Sequence, residues 1–318
     1  MNHLKVSILI PVYKAECYFK ECLDSIFSQS YDNIEYVFVN DASPDNCIDI
    51  LKQTIKSYPK REPRIKIIEN KGNKGVAYTR NVLISNATGD FIYFVDSDDF
   101  IEQNTIETFV NTAQMENADI VRCNYSKYYN GHSDPVIRNL NYTKEERLAR
   151  SIANDYGMES LCFLFIRREI ITENHLTFPE NINGSEDFLM TVKLFYYTNR
   201  VVDIPETLYN YRLDNELSIT HQEHTFRSHS ILAVKKIEEF LTDKGILHLY
   251  KEQLLRLMFT SKQHFLLNKK IRDVDKYINT FPESNHCYRL YNYSKKQKIL
   301  FFLAEHKLPF LIKLFLIE

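Results

Sequence analysis

Glycine and proline are scarce in this chain, and their scarcity excludes several classes of protein. The 318 residues include only 7 glycines and 9 prolines, too few for a collagen or a low-complexity protein. Apolar residues make up 44% of the sequence, so a buried core can offset the entropy lost on ordering and the chain is not disordered. Its length predicts one or two globular domains, since a domain usually spans about 100–200 residues.

The sequence also shows no C-x-x-C pair and no pattern typical of a signal peptide. The 6 cysteines include no C-x-x-C pair and form no cluster with histidine at zinc-binding spacing. No charged segment followed by an isolated apolar segment precedes the first strand-like run. We therefore expect reduced thiols, no signal peptide and a cytoplasmic protein.

The net charge is small but unevenly divided. The chain has 40 Lys and Arg against 42 Asp and Glu, a net of −2, which predicts no nucleic-acid partner. Residues 225–318 hold 17 basic and 9 acidic residues, a net of +8, which leaves 23 against 33, a net of −10, for residues 1–224. An acidic body joined to a basic C-terminal region predicts two parts with different partners.

Short apolar runs alternate with amphipathic stretches through the first part of the chain. The apolar runs predict strands at Val6–Val12, Ile34–Val39, Ile65–Ile68, Phe91–Val95 and Asp119–Tyr125. Helical spacing predicts helices at Cys17–Gln29, from an N-cap at Ser43 with Pro44 to Lys56, at Gly75–Ala87 and at Asn104–Glu116. This alternation predicts an α/β fold whose mainly parallel, Rossmann-like sheet is flanked by helices. Ligands of such sheets bind beyond the carboxyl ends of the strands.

The pattern changes after the fifth predicted strand. Residues 126–143 are typical of a loop, and a mixed segment follows, with extended runs at Ser160–Ile166 and Val201–Arg212 around a helix at Ser185–Tyr197. Helices are expected near 225–243, 246–268, 271–280 and 296–316. We place a boundary near residue 222, between a first domain over 1–222 and a mostly helical region over 223–318.

The last predicted helix, 296–316, is very apolar yet contains charged residues such as Glu305 and Lys313. A membrane-spanning helix needs about 20 largely uncharged residues. A helix in the membrane interface tolerates this mixture, and Lys295, Lys296 and Lys298 would meet anionic head groups. The alternative is a terminal helix that packs on the domain or on a second subunit in a homodimer.

An acidic cluster follows the fourth predicted strand. Asp96, Asp98 and Asp99 lie within four positions, and clustered carboxylates raise one another's pKa unless a cation neutralises them. Carboxylate oxygens suit Mg²⁺ or Mn²⁺, and such an ion could bridge to a diphosphate. The alternative is a solvated acidic turn in which Asp98 or Asp99 caps the next helix.

Two further segments carry polar residues beyond strands. Asp41 follows the second strand, where it could accept hydrogen bonds from a base or a ribose, or serve only the turn. Residues 70–75 include two glycines and two lysines and lead into a helix that bears Arg80. A helix N-terminus with lysines attracts an anion, and arginine suits phosphate or planar partners.

Together these segments resemble the family 2 glycosyltransferases with a GT-A fold. The resemblance covers residues 5–222 and is carried by Val6–Tyr13, Val39–Ser43, Asn73–Gly75 with Arg80-Asn81, Ala87–Asp90 with Asp96–Asp99, Gly184–Phe188, Tyr211-Arg212 and Ser218–His221. It implies that four residues line the pocket of a nucleotide-sugar donor, a UDP-sugar: Pro11, Tyr13, Asp41 and Arg80. It also implies that Asp96 approaches the ribose and Asp98 holds the metal. Lys14 departs from the family, which commonly has asparagine there.

The family's acidic pair falls on Glu186 and Asp187. The resemblance implies that Asp187 is the catalytic base and that Glu186 orients the acceptor, whereas without it both acids would simply favour a helix N-terminus. Attack by an acceptor hydroxyl in one step inverts the anomeric carbon. Arg212 and His221 could hold the diphosphate, and His221 could instead ligate the metal or be structural.

We therefore predict an inverting, metal-dependent glycosyltransferase of the hexosyltransferase type. Its donor is a nucleotide diphosphate sugar and its acceptor is a carbohydrate or a lipid-linked glycan in surface polysaccharide synthesis. A location at the inner face of the cell membrane would suit the basic C-terminal region. The alternatives are a nucleotidyltransferase and a non-catalytic nucleotide- or glycan-binding scaffold of an assembly complex.

Overall fold

The computed structural model describes residues 3–138, 142–154, 160–182, 184–215 and 223–316. The chain divides into two compact units. The first combines Met1–Arg147 with Met158–Glu223, and the second combines Leu148–Gly157 with His224–Glu318. All strands described below belong to the first unit.

The first unit is built on one nine-stranded sheet. In chain order, strands β1 to β9 span Val6–Val12, Ile34–Asn40, Ile65–Glu69, Phe91–Phe94, Phe100–Ile101, Ile120–Tyr129, His132–Val136, Leu164–Arg167 and Val201–Arg212. Their order across the sheet is β3-β2-β1-β4-β8-β6-β9-β5, with β7 paired to β6. Strands β3, β2, β1 and β4 run parallel, and β8 runs antiparallel to β4 and β6. The predicted α/β class is confirmed, with a parallel half and a mixed half.

Helices connect these strands. In chain order, α1 to α7 span Glu16–Phe27, Cys47–Ile55, Val76–Asn86, Thr105–Met115, Lys144–Ala153, Arg168–Glu173 and Glu186–Tyr197. Strand β1 is buried on both faces, as expected for a parallel sheet covered on each side, and Phe19 and Leu23 of α1 pack into the core with it. The parallel half brings the carboxyl ends of β1, β2 and β4 to one edge.

The segment after Tyr125 is a hairpin, so the prediction of a loop is wrong for its described part, residues 126–138. Strand β6 continues to Tyr129, and β7 pairs back on it. Asn130 and Gly131 form the turn, with φ of 49° and 77°. A two-residue turn with both φ angles positive is typical of Asn-Gly hairpins. That dipeptide was the signal in the sequence, and the polar, exposed side chains of β7 obscured it.

The second unit is helical. Helices α8 to α13 span Glu223–Asp243, Lys251–Lys262, His264–Leu267, Val274–Asn279, Lys295–Glu305 and Pro309–Phe315. The single helix predicted at 296–316 is thus two helices. Lys307 has a left-handed φ of 54°, and Pro309 opens the next helix because its fixed φ suits a first turn. Leu300, Phe301 and Ala304 of α12 pack into the core of this unit.

No helix in the described ranges has the length and apolar character that crossing a bilayer requires.

Candidate active site

Asp41, which follows β2, fixes the glycine turn before α3. Its carboxylate accepts hydrogen bonds from the backbone N–H groups of Lys74 and Gly75, both at 2.8 Å, and from Asn70 Nδ2 at 2.9 Å. The N-terminus of α3 was predicted to attract an anion. In the structure, the negative group beside it is the buried carboxylate of Asp41. Gly75 has a φ of 87°, which favours glycine.

The end of β1 presents Pro11 and Tyr13. Pro11 is partly buried and Tyr13 is 41% exposed. The next residue, Lys14, has a left-handed φ of 52°, and its N–H donates to Ser43 Oγ at 2.8 Å. Ser43 was predicted to cap a helix, but α2 begins only at Cys47. Ser43 instead joins the loops that follow β1 and β2.

The three clustered carboxylates turn to three different partners. Asp99 is buried and accepts hydrogen bonds from Tyr209 Oη at 2.6 Å and from the Arg212 N–H at 2.7 Å. Asp98 accepts from Asn215 Nδ2 at 2.7 Å, and Asp96 faces Arg80. Burial raises the pKa of Asp98, and the charge of Asp96 raises it further. Asp99 therefore has a structural role. Burial and Asp96 disfavour the ionised form of Asp98, and a bound cation would stabilise that form.

A metal site was predicted at Asp98 and His221. His221 lies outside the described residues, and within the described ranges no group of three or more His, Cys, Asp or Glu side chains is arranged to hold an ion. The donor chemistry of Asp98 and Asp96 nevertheless fits a divalent ion, because both present carboxylate oxygens and Asp98 is desolvated.

Arg80 of α3 joins the two acidic parts of the site. Its side chain is 5% exposed; Nη1 contacts Glu186 Oε1 at 2.8 Å and also Asp187 Oδ1, and Nη2 lies 3.3 Å from Asp96 Oδ1. Burial favours neutral arginine, but Asp96 and Glu186 outweigh it and raise the pKa of Arg80. The guanidinium lies about equally far from the rings of Phe94 and Phe178, at 6.0 and 5.8 Å.

Glu186 and Asp187 open helix α7 but differ in exposure. The Glu186 side chain is 6% exposed and accepts a hydrogen bond from the Gly184 N–H, besides its ion pair with Arg80. The Asp187 side chain is 23% exposed, and its Oδ2 accepts from Ser160 Oγ at 3.1 Å. Of the two acids, Asp187 is therefore better placed to meet a substrate.

Arg212, at the end of β9, is held by the protein itself. Its Nε donates to the Asp98 carbonyl at 2.8 Å, Nη2 pairs with Glu21, and the Tyr18 ring lies 4.5 Å from the guanidinium carbon. Sequence reasoning assigned Arg212 to the diphosphate but missed its partners Glu21 and Tyr18. These residues carry no local signal, because Glu21 and Arg212 lie 191 positions apart.

Comparisons with known proteins identify the class. A profile of Glycosyl transferase family 2 matches residues 7–174, more than half of the chain. EpsJ of Bacillus subtilis (strain 168), an uncharacterized glycosyltransferase, is 27% identical over 332 residues, which cover 98% of this chain and 95% of EpsJ.

Two solved structures share the fold. Staphylococcus aureus TarS 1-349 in complex with UDP-GlcNAc has a TM-score of 0.70 at 22% identity, over 96% of this chain and 88% of that one. TarS is named a poly(ribitol-phosphate) β-N-acetylglucosaminyltransferase, and this chain spans 49% of its full length. The mannosyltransferase PcManGT from Pyrobaculum calidifontis, in complex with GDP-Man and Mn²⁺, has a TM-score of 0.57 at 15% identity, over 93% of this chain and 78% of that one.

The solved structures confirm the predicted GT-A fold, and the family profile and the named relatives identify a glycosyltransferase, as the sequence predicted. The chain belongs to glycosyl transferase family 2.

Proposed function

We propose that this enzyme is an inverting, metal-dependent glycosyltransferase that acts in surface polysaccharide synthesis. Its donor is a nucleotide diphosphate sugar, a UDP-sugar, and its acceptor is a carbohydrate or a lipid-linked glycan. One observation carries the proposal: Arg80 contacts both Asp96, assigned to the ribose, and Asp187, assigned as the base. TarS, whose structure holds UDP-GlcNAc and whose name specifies a polymer acceptor, supports this donor and this product class.

Residues at the carboxyl edge of the sheet bind the donor. The set comprises Pro11, Tyr13, Asp41, Arg80, Asp96 and Arg212. The exposed ring of Tyr13 can stack on the base. Arg212 lies against the Asp98 carbonyl, so a diphosphate held near Asp98 would be within reach of a guanidinium.

Asp98 would hold the metal, with His221 as a second ligand. The half-buried carboxylate of Asp98 has a pKa raised by desolvation and by the charge of Asp96, and a cation there would favour its ionised form. The chemistry that Mn²⁺ or Mg²⁺ supplies when bound is to offset the negative charge on the leaving diphosphate. The Mn²⁺ in the PcManGT complex supports this assignment.

Asp187 is the general base. Its Oδ2 takes the proton of an acceptor hydroxyl while the hydroxyl oxygen forms a bond to the anomeric carbon. The bond from that carbon to the donor diphosphate breaks, and its electron pair leaves with the phosphate oxygen. Attack opposite the leaving group inverts the anomeric carbon. The exposure of Asp187, greater than that of Glu186, supports this division of roles.

A donor screen tests the proposal. Purified protein is incubated with UDP-, GDP- and other nucleotide sugars and an acceptor panel, with Mn²⁺ or with EDTA, and released nucleotide diphosphate is measured. We expect release from a UDP-sugar that needs the cation. Release of pyrophosphate would indicate a nucleotidyltransferase, and tight donor binding without turnover on any acceptor would indicate a scaffold.

The C-terminal helices of the second unit carry a further part of the proposal, a contact with an anionic membrane surface. Phe302, Phe310 and Leu314 are 46%, 75% and 57% exposed. Exposed lysines lie beside them on the same segment: Lys295, Lys296, Lys298 and Lys307. Apolar burial and electrostatic attraction together favour a peripheral, cytoplasmic-face contact, and each basic residue near the surface adds about 1 kcal/mol.

Vesicle co-sedimentation tests this contact. We expect the full chain to bind vesicles that contain phosphatidylserine and to lose binding at high salt. Replacing Phe302, Phe310 and Leu314 by serine should abolish binding, whereas serine at three exposed apolar positions elsewhere, Met115, Ile137 and Leu249, should not. A dimer by light scattering that these replacements dissociate, without vesicle binding, would instead identify a subunit interface.

A further inference from the structure

Both carboxylate oxygens of Asp187 are held, and by different donors. Arg80 Nη1 contacts Oδ1, and Ser160 Oγ donates to Oδ2 at 3.1 Å. Arg80 cannot fix the orientation of Asp187 alone, because the same Nη1 also contacts Glu186. The hydroxyl of Ser160 supplies a second point of attachment, and the two held oxygens together with Cβ define the plane of the carboxylate.

Ser160 is itself firmly placed. It precedes a 3₁₀ turn, Leu161–Phe163, whose three side chains are buried in the core of the first unit. Cys162 Sγ lies 3.2 Å from Ser160 Oγ and donates to it. The buried thiol stays protonated because burial raises its pKa well above the usual range.

The serine proton points to Asp187 Oδ2, because an ionised carboxylate only accepts hydrogen bonds. The Cys162 S–H occupies an acceptor site on the same Ser160 Oγ. The chain Cys162–Ser160–Asp187 therefore runs in one direction, from thiol to carboxylate. A carboxylate oxygen has more than one acceptor site, so Oδ2 can still receive a substrate proton.

We propose that Ser160 is a positioning residue for Asp187, holding the Oδ2 atom in the orientation that accepts the proton of the acceptor hydroxyl. This inference rests on the proposed function, in which Asp187 is the base. A base must lie within about 2.6–3.2 Å of the proton donor, and a displacement of about 1 Å can cost about 100-fold in rate. Sequence reasoning gave no reason to single out Ser160.

A double-mutant cycle in the full-length enzyme tests the inference. Single-turnover rates and donor and acceptor KM values are measured for Ser160→Ala, Asp187→Asn and the double variant, with UDP binding by calorimetry as a check on the donor site. We expect Ser160→Ala to lower kcat about 10-fold and to leave the donor KM and UDP affinity within about 2-fold. In the Asp187→Asn background, Ser160→Ala should change the rate little.

Conservative and control variants complete the experiment. Ser160→Thr keeps the hydroxyl and should restore most of kcat, and Ser160→Cys, with a weaker donor, should fall between alanine and threonine. Ser25→Ala is the matched control, since the partly buried Ser25 hydroxyl bonds, among the residues that the structure describes, only the backbone of Cys22 and Ile101. It should keep kcat. If the Ser160→Ala variant does not fold, the Ser160→Thr and Ser160→Cys variants still test the inference.

Different results would refute the base assignment of Asp187 and the role of Ser160. Full turnover by Asp187→Asn would overturn the base assignment of the proposed function. Loss of turnover in Asp187→Asn together with unchanged kcat in Ser160→Ala would overturn the role of Ser160 alone. An equal loss from Ser160→Ala in both backgrounds would show that Ser160 acts on a group other than Asp187, and would also overturn it.

Discussion

Arg80 forms an ion pair with Asp187 across 107 positions of the chain. The same guanidinium lies 3.3 Å from Asp96, so the loop after β4 and the start of α7 share one buried cation. Arg80 was assigned to the nucleotide pocket, and its contacts connect Asp96, which we propose meets the donor ribose, with the acidic pair Glu186 and Asp187.

Lys14 stands where the family commonly has asparagine. The backbone conformation at this position explains why asparagine is favoured. Its φ of 52° lies in the left-handed region, which costs most residues about 1–2 kcal/mol and asparagine less. We expect Lys14→Asn to raise the free energy of unfolding by about 0.5–1 kcal/mol, measured by urea denaturation. Lys20→Asn, on the exposed face of α1, should lower it slightly. A destabilised Lys14→Asn variant would contradict this explanation.

Gly89, from the motif that precedes β4, has a steric role. A Cβ atom at Gly89 would lie 2.6 Å from the backbone nitrogen and 2.7 Å from Oγ of Ser7. We expect Gly89→Ala to destabilise the protein by about 1–3 kcal/mol, because the neighbouring backbone would have to move. Gly72→Ala is the control, since a Cβ there meets nothing within 4 Å. Equal melting temperatures for the two variants would disprove the steric explanation.

Asp98 and Asp99 are adjacent but should respond differently to replacement. Asp98→Ala should abolish transfer and cation-dependent donor binding while the protein keeps its melting temperature. Asp99→Ala leaves the buried Tyr209 hydroxyl and Arg212 N–H without their acceptor, so stability should fall by about 2 kcal/mol or more. Thermal unfolding and UDP titration with Mn²⁺ or EDTA separate the two effects. Full activity of Asp98→Ala in EDTA would refute the metal assignment.

Glu35 makes the stability of the protein depend on pH in the acid range. It lies near the start of β2, at the end of the parallel strands opposite the candidate active site. Burial opposes its ionisation, but hydrogen bonds from Lys5, Ser7 and Thr88 prevail and lower its pKa to about 2. The unfolded chain binds a proton near pH 4.3, so this contribution is present above about pH 4.3 and is lost as the pH falls towards 2.

We therefore expect Glu35→Gln to lower the melting temperature at pH 7 and to differ less from the unchanged protein as the pH falls below 4. The exposed Glu62 provides the control Glu62→Gln, which should change little at either pH. A difference in melting temperature between Glu35→Gln and the unchanged protein that stays constant down to pH 2.5 would contradict this explanation.

The sequence predicted the parallel half of the fold well, because buried strands such as β1 are apolar at nearly every position and polar residues such as Asp41 mark their ends. It predicted the mixed half and the second unit less well. The exposed strand β7 lacks an apolar pattern, and the break at Pro309 divides a helix whose composition looks continuous.

Site residues that act through long-range contacts escaped prediction. Asp96, Asp98 and Asp99 formed one acidic cluster in the sequence, yet each turns to a different partner in the fold. Ser160 and Asn215 are common polar residues with no periodic pattern, and they matter only because folding brings them to Asp187 and Asp98. Such pairings depend on tertiary structure, which local propensity does not encode.

The most direct test of the central claim is the product of Asp187→Asn compared with that of the unchanged enzyme. With a UDP-sugar, Mn²⁺ and an acceptor that turns over, turnover is measured by UDP release and the anomeric configuration by NMR. We expect the unchanged enzyme to give a product with inverted anomeric configuration. In Asp187→Asn, kcat should fall about 10²–10⁴-fold while UDP-sugar affinity stays nearly unchanged. A product with retained configuration, or a variant that loses donor affinity but keeps its rate at saturation, would contradict the central claim.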